Sequence, residues 1–334
     1  QALGEGNRAE VTALFTRALM IGLAAGAALI LLQPLILWAS FAVSPASDEV
    51  ESMAHNYMRI RIWSAPAAIA IYGITGWLIA QERTHAVLVM QLWMNGLNVV
   101  LDLVLVLGLG MGVEGVALAT FFAEWSGLAM GLWLCRSVFG RPEWKDWARV
   151  FDRVRLRRMA VLNTDILIRS LLLEGMFVSF MLVGGHFGDV TLAANQVLLQ
   201  FMMIAAYALD GFAFAAETLV GQAYGARQRA QLRRSLALAG IWAAGIGCLM
   251  TLVYWVIGPS VIDIMSKDEE VRAAARLYLP WAVMLPVLQV LPFMMDGVFI
   301  GATRSADMRN MMAVSAVIYV VAVALLSGPF GNHG

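Results

Sequence analysis

The sequence predicts an all-α, polytopic membrane protein, and three observations carry this prediction. Hydrophobic residues make up 60% of the 334 residues and charged residues only 14%, whereas soluble domains average about 25% charged residues. Long apolar stretches recur along the chain, and the basic residues are concentrated in alternate loops. The net charge of zero gives no positive field for nucleic acid, so we expect no nucleic-acid partner.

Nine stretches of the chain are candidates for membrane-spanning helices. A spanning helix needs about 20 mostly apolar residues, and longer stretches can tilt or extend into the headgroup region. In chain order the candidates are residues 11–43, 57–80, 86–109, 113–136, 159–183, 192–222, 236–258, 273–302 and 311–326.

The loops between these spans alternate in charge. The connections after the second, fourth, sixth and eighth spans carry the basic residues, whereas loop 44–51 carries only acids and loops 108–114 and 184–189 carry no Lys or Arg. Loop 258–270 has one Lys, Lys267, against four acids. Lys and Arg favour the cytoplasmic side of a membrane, so nine spans give a consistent topology in which the basic segment 141–158 is a cytoplasmic linker.

The chain also repeats itself at an offset of 221 residues. The signature Gln-Ala-x-Gly-x-x-x-Arg occurs at residues 1–8 and again at residues 222–229. Further matches at this offset join Asp48 with Glu269, Tyr57 with Tyr278, Gly76 with Gly297, Arg83 with Arg304, and Met90 with Met311. Fixed-offset similarity of this kind indicates an internal structural repeat.

The repeat predicts the architecture of the whole protein. The period covers six spans, so two copies share one orientation and are related by a pseudo-two-fold axis along the membrane normal. We therefore expect two six-helix bundles, of which this chain carries helices three to eleven and lacks the first two and the last. The predicted divisions are an N-terminal bundle (1–140), the linker (141–158) and a C-terminal bundle (159–334).

The repeated signature, with segments 163–169 and 209–223, resembles the multidrug and toxic compound extrusion (MATE) family, and specifically its DinF (DNA-damage-inducible protein F) branch. The resemblance implies an antiporter of the bacterial inner membrane rather than an enzyme. Such proteins expel small organic, often cationic, compounds in exchange for H⁺ or Na⁺, and their two bundles give alternating access to a central cavity. We expect H⁺ rather than Na⁺ as coupling ion, a monomer in the lipid bilayer, and no cofactor or metal.

Ionisable groups within the spans are the candidate functional residues, because charge in the bilayer core is costly and is usually retained for function. Asp102 lies near the middle of the third span with Asn98 one turn earlier, on the same face. A cation and a proton would compete for such a carboxylate. The resemblance places this pair at fifth-helix positions near the family's first-helix carboxylate. An interhelical hydrogen bond with a purely structural role is the alternative.

The C-terminal half offers four further candidates. Asp165 and Arg169 are spaced i, i+4, and we favour a static ion pair between them. The alternative is a switchable pair for which Asp210 or Asp296 competes. Asp296 follows Pro292 and precedes Gly297, so its helix is predicted to be irregular there, as helices at transporter binding sites often are.

Two other functions remain open at this point. A lipid-linked oligosaccharide flippase would share the two-bundle design, but it should present a cationic cavity to its pyrophosphate substrate. Arg169 is the only clear base at mid-span, against four carboxylates, which favours cationic cargo. The third possibility is a membrane protein that keeps the fold without transporting anything.

Overall fold

The computed structural model describes residues 1–43 and 48–333, so residues 44–47 of the predicted acidic loop lie outside the described residues. Within these ranges every regular element is helical, which confirms the all-α prediction. The α-helices are α1 (Arg8–Val43), α2 (Asp48–Arg61), α3 (Ala65–Ala80), α4 (Thr84–Asp102), α5 (Gly112–Leu134), α6 (Trp147–Val150), α7 (Arg153–Gly185), α8 (Asp189–Gly225), α9 (Arg229–Met265), α10 (Glu269–Gly301) and α11 (Ser305–Phe330).

Nine helical segments of the described chain are long and apolar enough to cross a membrane. They are α1, α2 continued by α3, α4 with the turn that follows it, α5, and each of α7 to α11. The predicted number of spans is confirmed. The spans expose many large apolar side chains, for example Leu31 (81% exposed) and Ile264 (84%), as expected of helices whose solvent is lipid.

The chain forms two compact units. One comprises residues Asn7–Asp152, and the other joins Gln1–Gly6 to Arg153–Gly334. The segment predicted as a linker, residues 141–158, is largely helical. Its first part forms a 3₁₀ turn at Pro142–Lys145 and the short helix α6 in the first unit, and its last residues are the opening turns of α7.

A buried arginine holds this segment to α1. The side chain of Arg17 is buried, and its Nε and a terminal nitrogen donate to the carbonyls of Val150 (2.8 Å) and Arg149 (2.5 Å) at the end of α6. The other terminal nitrogen donates to Glu10, also at 2.8 Å. The end of a helix leaves carbonyl groups without intrahelical donors. The guanidinium of Arg17 supplies hydrogen bonds to two such carbonyls and thereby anchors α6 to α1.

The helix boundaries reproduce the offset found in the sequence. Helices α1 and α9, α2 and α10, and α4 and α11 begin 221 residues apart, at 8 and 229, 48 and 269, and 84 and 305. The left-handed backbone positions follow the same rule: Glu82 (φ 59°) matches Thr303 (φ 55°), and Gly6 (φ 71°) matches Arg227 (φ 57°). Left-handed residues other than glycine are uncommon, so their recurrence at the same offset indicates that the two copies also share the geometry of their turns.

The repeated signature makes a reciprocal contact. A Cβ on Gly4 would lie 2.1 Å from the carbonyl oxygen of Gln222, and a Cβ on Gly225 would lie 2.3 Å from that of Gln1. Each glycine thus meets the glutamine of the other copy. The small residue at the fourth position of Gln-Ala-x-Gly is required for this close approach of two backbones.

Helices α8 and α10 pack closely through two glycines one turn apart. A Cβ on Gly297 would lie 2.3 Å from the carbonyl oxygen of Ala213, and one on Gly301 would lie 2.4 Å from that of Glu217. This is the small-xxx-small arrangement that lets membrane helices approach closely. It fixes the position of Asp296, the residue before Gly297, next to α8.

The helices are irregular at positions other than the one that the sequence predicted. The prediction of an irregular helix at Asp296 is wrong, because α10 is continuous through its three prolines. The first unit is interrupted instead, by a 3₁₀ turn at Ile62–Ser64 just before Pro66 and by a π-helical turn at Leu103–Gly108. The π turn follows Asp102 directly.

Candidate functional site

The first unit brings Asn98 of α4, one turn before Asp102, next to a threonine of α5. The Asn98 side-chain amide donates to Thr120 Oγ1 at 3.4 Å, and that hydroxyl donates to the carbonyl of Val116 at 3.0 Å. Sequence reasoning missed Thr120. The available signal was a hydroxyl in the middle of the apolar stretch 113–136.

Asp102 has an unsatisfied carboxylate oxygen. Its Oδ1 is buried and has no hydrogen-bond partner within the described ranges 1–43 and 48–333. A buried polar oxygen without a donor is costly, and a bound proton or cation would remove that cost. Asp102 also ends α4 where the π turn Leu103–Gly108 begins, and π turns are frequent at functional sites.

The first unit also contains an ion pair that the sequence did not predict. Arg61, at the end of α2, makes a two-pronged ion pair with Glu124 of α5, with distances of 2.8 and 2.6 Å. The statement that Arg169 is the only clear base at mid-span is therefore wrong. Arg61 escaped notice because it lies near the start of the apolar run, and its partner is 63 residues away in sequence.

In the second unit, Arg169 of α7 pairs with Asp296 of α10. The predicted static pair between Asp165 and Arg169 is thus wrong, whereas the alternative that named Asp296 as a competitor matches this contact. The Nε of Arg169 is buried without a hydrogen-bond partner in the described part of the chain. The guanidinium therefore uses only part of its hydrogen-bonding capacity.

Asp210 of α8 belongs to the same cluster. Its carboxyl group interacts electrostatically with both Asp296 and Arg169, and each of the three residues comes from a different helix. Two carboxylates and one guanidinium give the cluster a formal charge of −1. A site of this kind can accept one monovalent cation or one proton, because either neutralises the excess carboxylate.

Asp165 has a separate set of partners. Its side chain is buried, its Oδ2 accepts from Ser305 Oγ at 2.8 Å, and its Oδ1 accepts from Arg309 at 2.5 Å. Both partners belong to α11. With both oxygens satisfied, Asp165 joins α7 to α11 and does not face Arg169, although the two residues are only one turn apart.

The described residues contain no cluster of His, Cys, Asp and Glu that could hold a metal ion.

Comparisons with known proteins identify the chain. The MatE family model matches residues 1–104 and 166–326. The chain belongs to the MatE family. It is 37% identical over its whole length to DNA damage-inducible protein F of Escherichia coli, of which it spans 72%. It is 27% identical over 98% of its length to a probable multidrug resistance protein NorM of Caulobacter vibrioides, of which it spans 69%.

Solved MATE structures share the fold of this MatE chain. The Vibrio cholerae MATE transporter VcmN in its bent form superposes with a TM-score of 0.84 over 99% of this chain and 78% of the other, at 19% identity. The predicted family and its DinF branch are confirmed. The chain is a multi-pass membrane protein of a transporter family.

Within this MatE chain, the contact between Asp165 and Arg309 makes a testable contribution to stability. Replacing Arg309 with alanine removes one of two donors to a buried carboxylate and should lower the free energy of unfolding by about 2 kcal/mol. SDS titration of the purified protein, followed by circular dichroism, measures the change.

The matched control for this measurement is Arg304→Ala. Arg304 pairs with Asp307, and both side chains are well exposed, at 64% and 43%, so its loss should cost less than about 0.5 kcal/mol. Equal losses in the two variants would show that the buried position of Asp165 contributes nothing.

Proposed function

We propose that this chain acts in cation-coupled efflux of small organic, cationic compounds, with H⁺ as the coupling ion and Na⁺ as the alternative. In this proposal the protein lies in the bacterial inner membrane, with the 141–158 segment on the cytoplasmic side, and alternates between conformations open to opposite sides. The observation that carries the proposal is the buried, unpartnered Oδ1 of Asp102.

Asp102 supports exchange because no residue that the structure describes forms an ion pair with it. A carboxylate with a permanent cationic partner cannot easily bind another cation, as Asp165 with Arg309 illustrates. The nearby amide of Asn98 can donate to a charged carboxylate or accept from a protonated one. Proton and cargo would then compete for Asp102, and this competition couples their opposite movements.

The cluster of Arg169, Asp210 and Asp296 is the proposed second site. Its excess negative charge favours a cation, while Arg169 occupies Asp296 when no cation is bound. Release of Arg169 would accompany protonation or cargo binding, and it would free α7 from α10. A ligand that binds one state better shifts the population of states by that difference in affinity.

The arginines weigh against the flippase alternative. A pyrophosphate-linked substrate needs unpaired guanidinium or ammonium groups, whereas Arg61 is paired with Glu124 and Arg169 with Asp296. The non-transporting alternative predicts that removal of Asp102 leaves every cellular phenotype unchanged.

Asp102→Asn tests the proposal. Cells that lack their own efflux pumps should extrude ethidium when they express the protein and a pH gradient is present. The variant keeps the shape of the side chain but removes its titration, so pH-driven efflux should fall by at least about tenfold, within the 5–150-fold range typical of coupling between sites. Repeating the assay with a Na⁺ gradient distinguishes the two coupling ions.

Asp263→Asn is the control, because Asp263 pairs with Arg276 on an exposed surface. Membrane levels of both variants are compared by immunoblot. Unchanged pH-driven efflux in Asp102→Asn at normal expression would exclude Asp102 from the mechanism. A protein that extrudes no dye under either gradient would support one of the other two functions.

A further inference from the structure

The second spanning segment of the first unit is divided near its middle. It runs from Glu49 to Ala80, and the 3₁₀ turn Ile62–Ser64 separates its first half, α2, from its second half, α3. Pro66 has no N–H to give to the carbonyl one turn earlier, and this carbonyl, of Ile62, accepts from the N–H of Ala65 instead. The α-helical hydrogen-bond pattern is therefore interrupted inside a segment long enough to cross the membrane.

Two consecutive side chains of α5 hold this turn. The Glu124 carboxylate accepts from both terminal nitrogens of Arg61, the last residue of α2, at 2.8 and 2.6 Å. Next to it, Trp125 Nε1 donates to the carbonyl of Trp63 at 3.2 Å. Within the turn, the Ser64 hydroxyl donates to the Arg61 carbonyl at 2.8 Å. Side chains thus take over part of the backbone hydrogen bonding that a continuous helix would supply, as a membrane environment requires.

The internal repeat shows that a proline by itself does not produce this break. At the offset of 221 the turn corresponds to residues 283–285, which are α-helical within α10 although Pro286 follows them. The position equivalent to Arg61 is Ala282, which cannot form an ion pair. The helix is therefore interrupted in the copy that has the arginine and continuous in the copy that lacks it.

The two halves of the segment are held by different kinds of contact. Helix α3 packs closely on two glycines of α1, because a Cβ on Gly26 would lie 2.2 Å from the Pro66 Cα and one on Gly22 would lie 2.9 Å from the Ala70 Cα. Close backbone packing of this kind fixes one membrane helix against another. Helix α2 contains no glycine, and its last residue is joined to α5 by an ion pair, which can separate without any change in backbone packing.

We propose that the turn Ile62–Ser64 is a hinge at which α2 swings relative to α3, and that the ion pair of Arg61 with Glu124 is the lock that holds α2 in one position. All parts of this hinge belong to the first unit, so the proposal does not depend on which ion or cargo the protein moves. Glu124 lies one turn after Thr120, the partner of Asn98, on the same face of α5. Movement of α2 therefore begins one helical turn from the Asn98 contact.

Electron-resonance distance measurement between two spin labels in the full-length protein tests this proposal without an ion gradient or cargo. The labels are attached to cysteines that replace Met53 in α2 and Leu107 after α4, both exposed. Cys248→Ser removes the exposed native thiol, whereas Cys135 is buried. Glu124→Gln should add a second distance that differs by about 5 Å, because a change of about 20° in the kink moves a residue about ten positions from the hinge by that amount.

A second variant, Trp125→Phe, keeps an aromatic ring but removes the donor to the Trp63 carbonyl, and it should add the same second distance at a lower population. Glu114→Gln is the matched control, because Glu114 is another glutamate of α5 but is exposed and forms no ion pair with any residue that the structure describes. It should leave the distances unchanged. An unchanged distance in Glu124→Gln, or a loss of its helical circular-dichroism signal in place of a second distance, would overturn the proposal.

Discussion

Replacing Gly297 with valine should remove most of the folded, detergent-stable protein. The first atom of any side chain at this position would lie 2.3 Å from the Ala213 carbonyl oxygen and 3.1 Å from the Ala216 Cβ. Neither neighbour can move without shifting the backbone of α8. The helices must separate, and the expected destabilisation is at least about 3 kcal/mol, the upper end of typical overpacking costs.

The measurement is the thermal unfolding midpoint of the detergent-solubilised protein, read as loss of the monodisperse peak in size-exclusion chromatography. Gly245→Val is the control, because Gly245 of α9 has no atom within 4 Å of its added Cβ and also lies in a spanning helix. Gly297→Ala should give an intermediate midpoint. If Gly297→Val and Gly245→Val unfold at the same temperature, the close packing of α8 and α10 has no energetic weight.

Replacing Arg169 with glutamine should have the second large effect. Two carboxylates that interact electrostatically, Asp210 and Asp296, would lose their shared counter-charge. Removing one partner of a fully buried ion pair costs about 3–5 kcal/mol. Because the side chains of Arg169 and Asp296 are 19% and 32% exposed, the expected cost here is at or below about 3 kcal/mol. We expect Arg169→Gln to lower the unfolding midpoint and to abolish ethidium efflux.

The double variant Arg169→Gln/Asp296→Asn separates stability from function. Loss of the second charge relieves the repulsion, so the midpoint should return close to that of the wild type, whereas efflux should remain absent. Together with the wild type and the single variant Asp296→Asn, these two variants form a double-mutant cycle that isolates the interaction between the two residues. Efflux in the double variant at the wild-type rate would show that this pair is not a coupling site.

Arg276→Gln provides the control for this cycle. Arg276 pairs with Asp263, but both side chains are more exposed, at 49% and 38%, than those of Arg169 and Asp296, at 19% and 32%. Exposed pairs contribute about 0–1 kcal/mol. A similar loss in Arg276→Gln and Arg169→Gln would show that the position of Arg169 within the bundle does not matter.

The prediction for α10 shows where local reasoning fails. Pro292 before Asp296 and Gly297 after it predicted an irregular helix there, yet α10 is continuous from Glu269 to Gly301 and contains three prolines. Proline removes one backbone hydrogen bond, but the packing of a helix on its neighbours can keep the chain helical on both sides of that loss. In the first unit, by contrast, the turn before Pro66 is 3₁₀. A proline thus interrupts the α-helix in one unit and is accommodated within it in the other.

The amino-acid sequence by itself determined the class of fold, the number of spans and the internal repeat. These features depend on properties that are local along the chain: apolar length, loop charge and the residues that permit tight turns. The offset of 221 appears in the helix starts and again in the left-handed turn residues Glu82 and Thr303. Family membership was also recognisable, because the Gln-Ala-x-Gly-x-x-x-Arg signature stands in both copies.

Only the tertiary structure decided which charged groups meet. Arg169 pairs with a residue 127 positions away, Arg309 with one 144 positions away, and Arg61 with one 63 positions away. Spacing along a single helix predicted Asp165 as the partner of Arg169. The orientation of each helix against its neighbours instead selects the partner, because a side chain in the bilayer core binds whichever opposite charge the packing brings within hydrogen-bond distance.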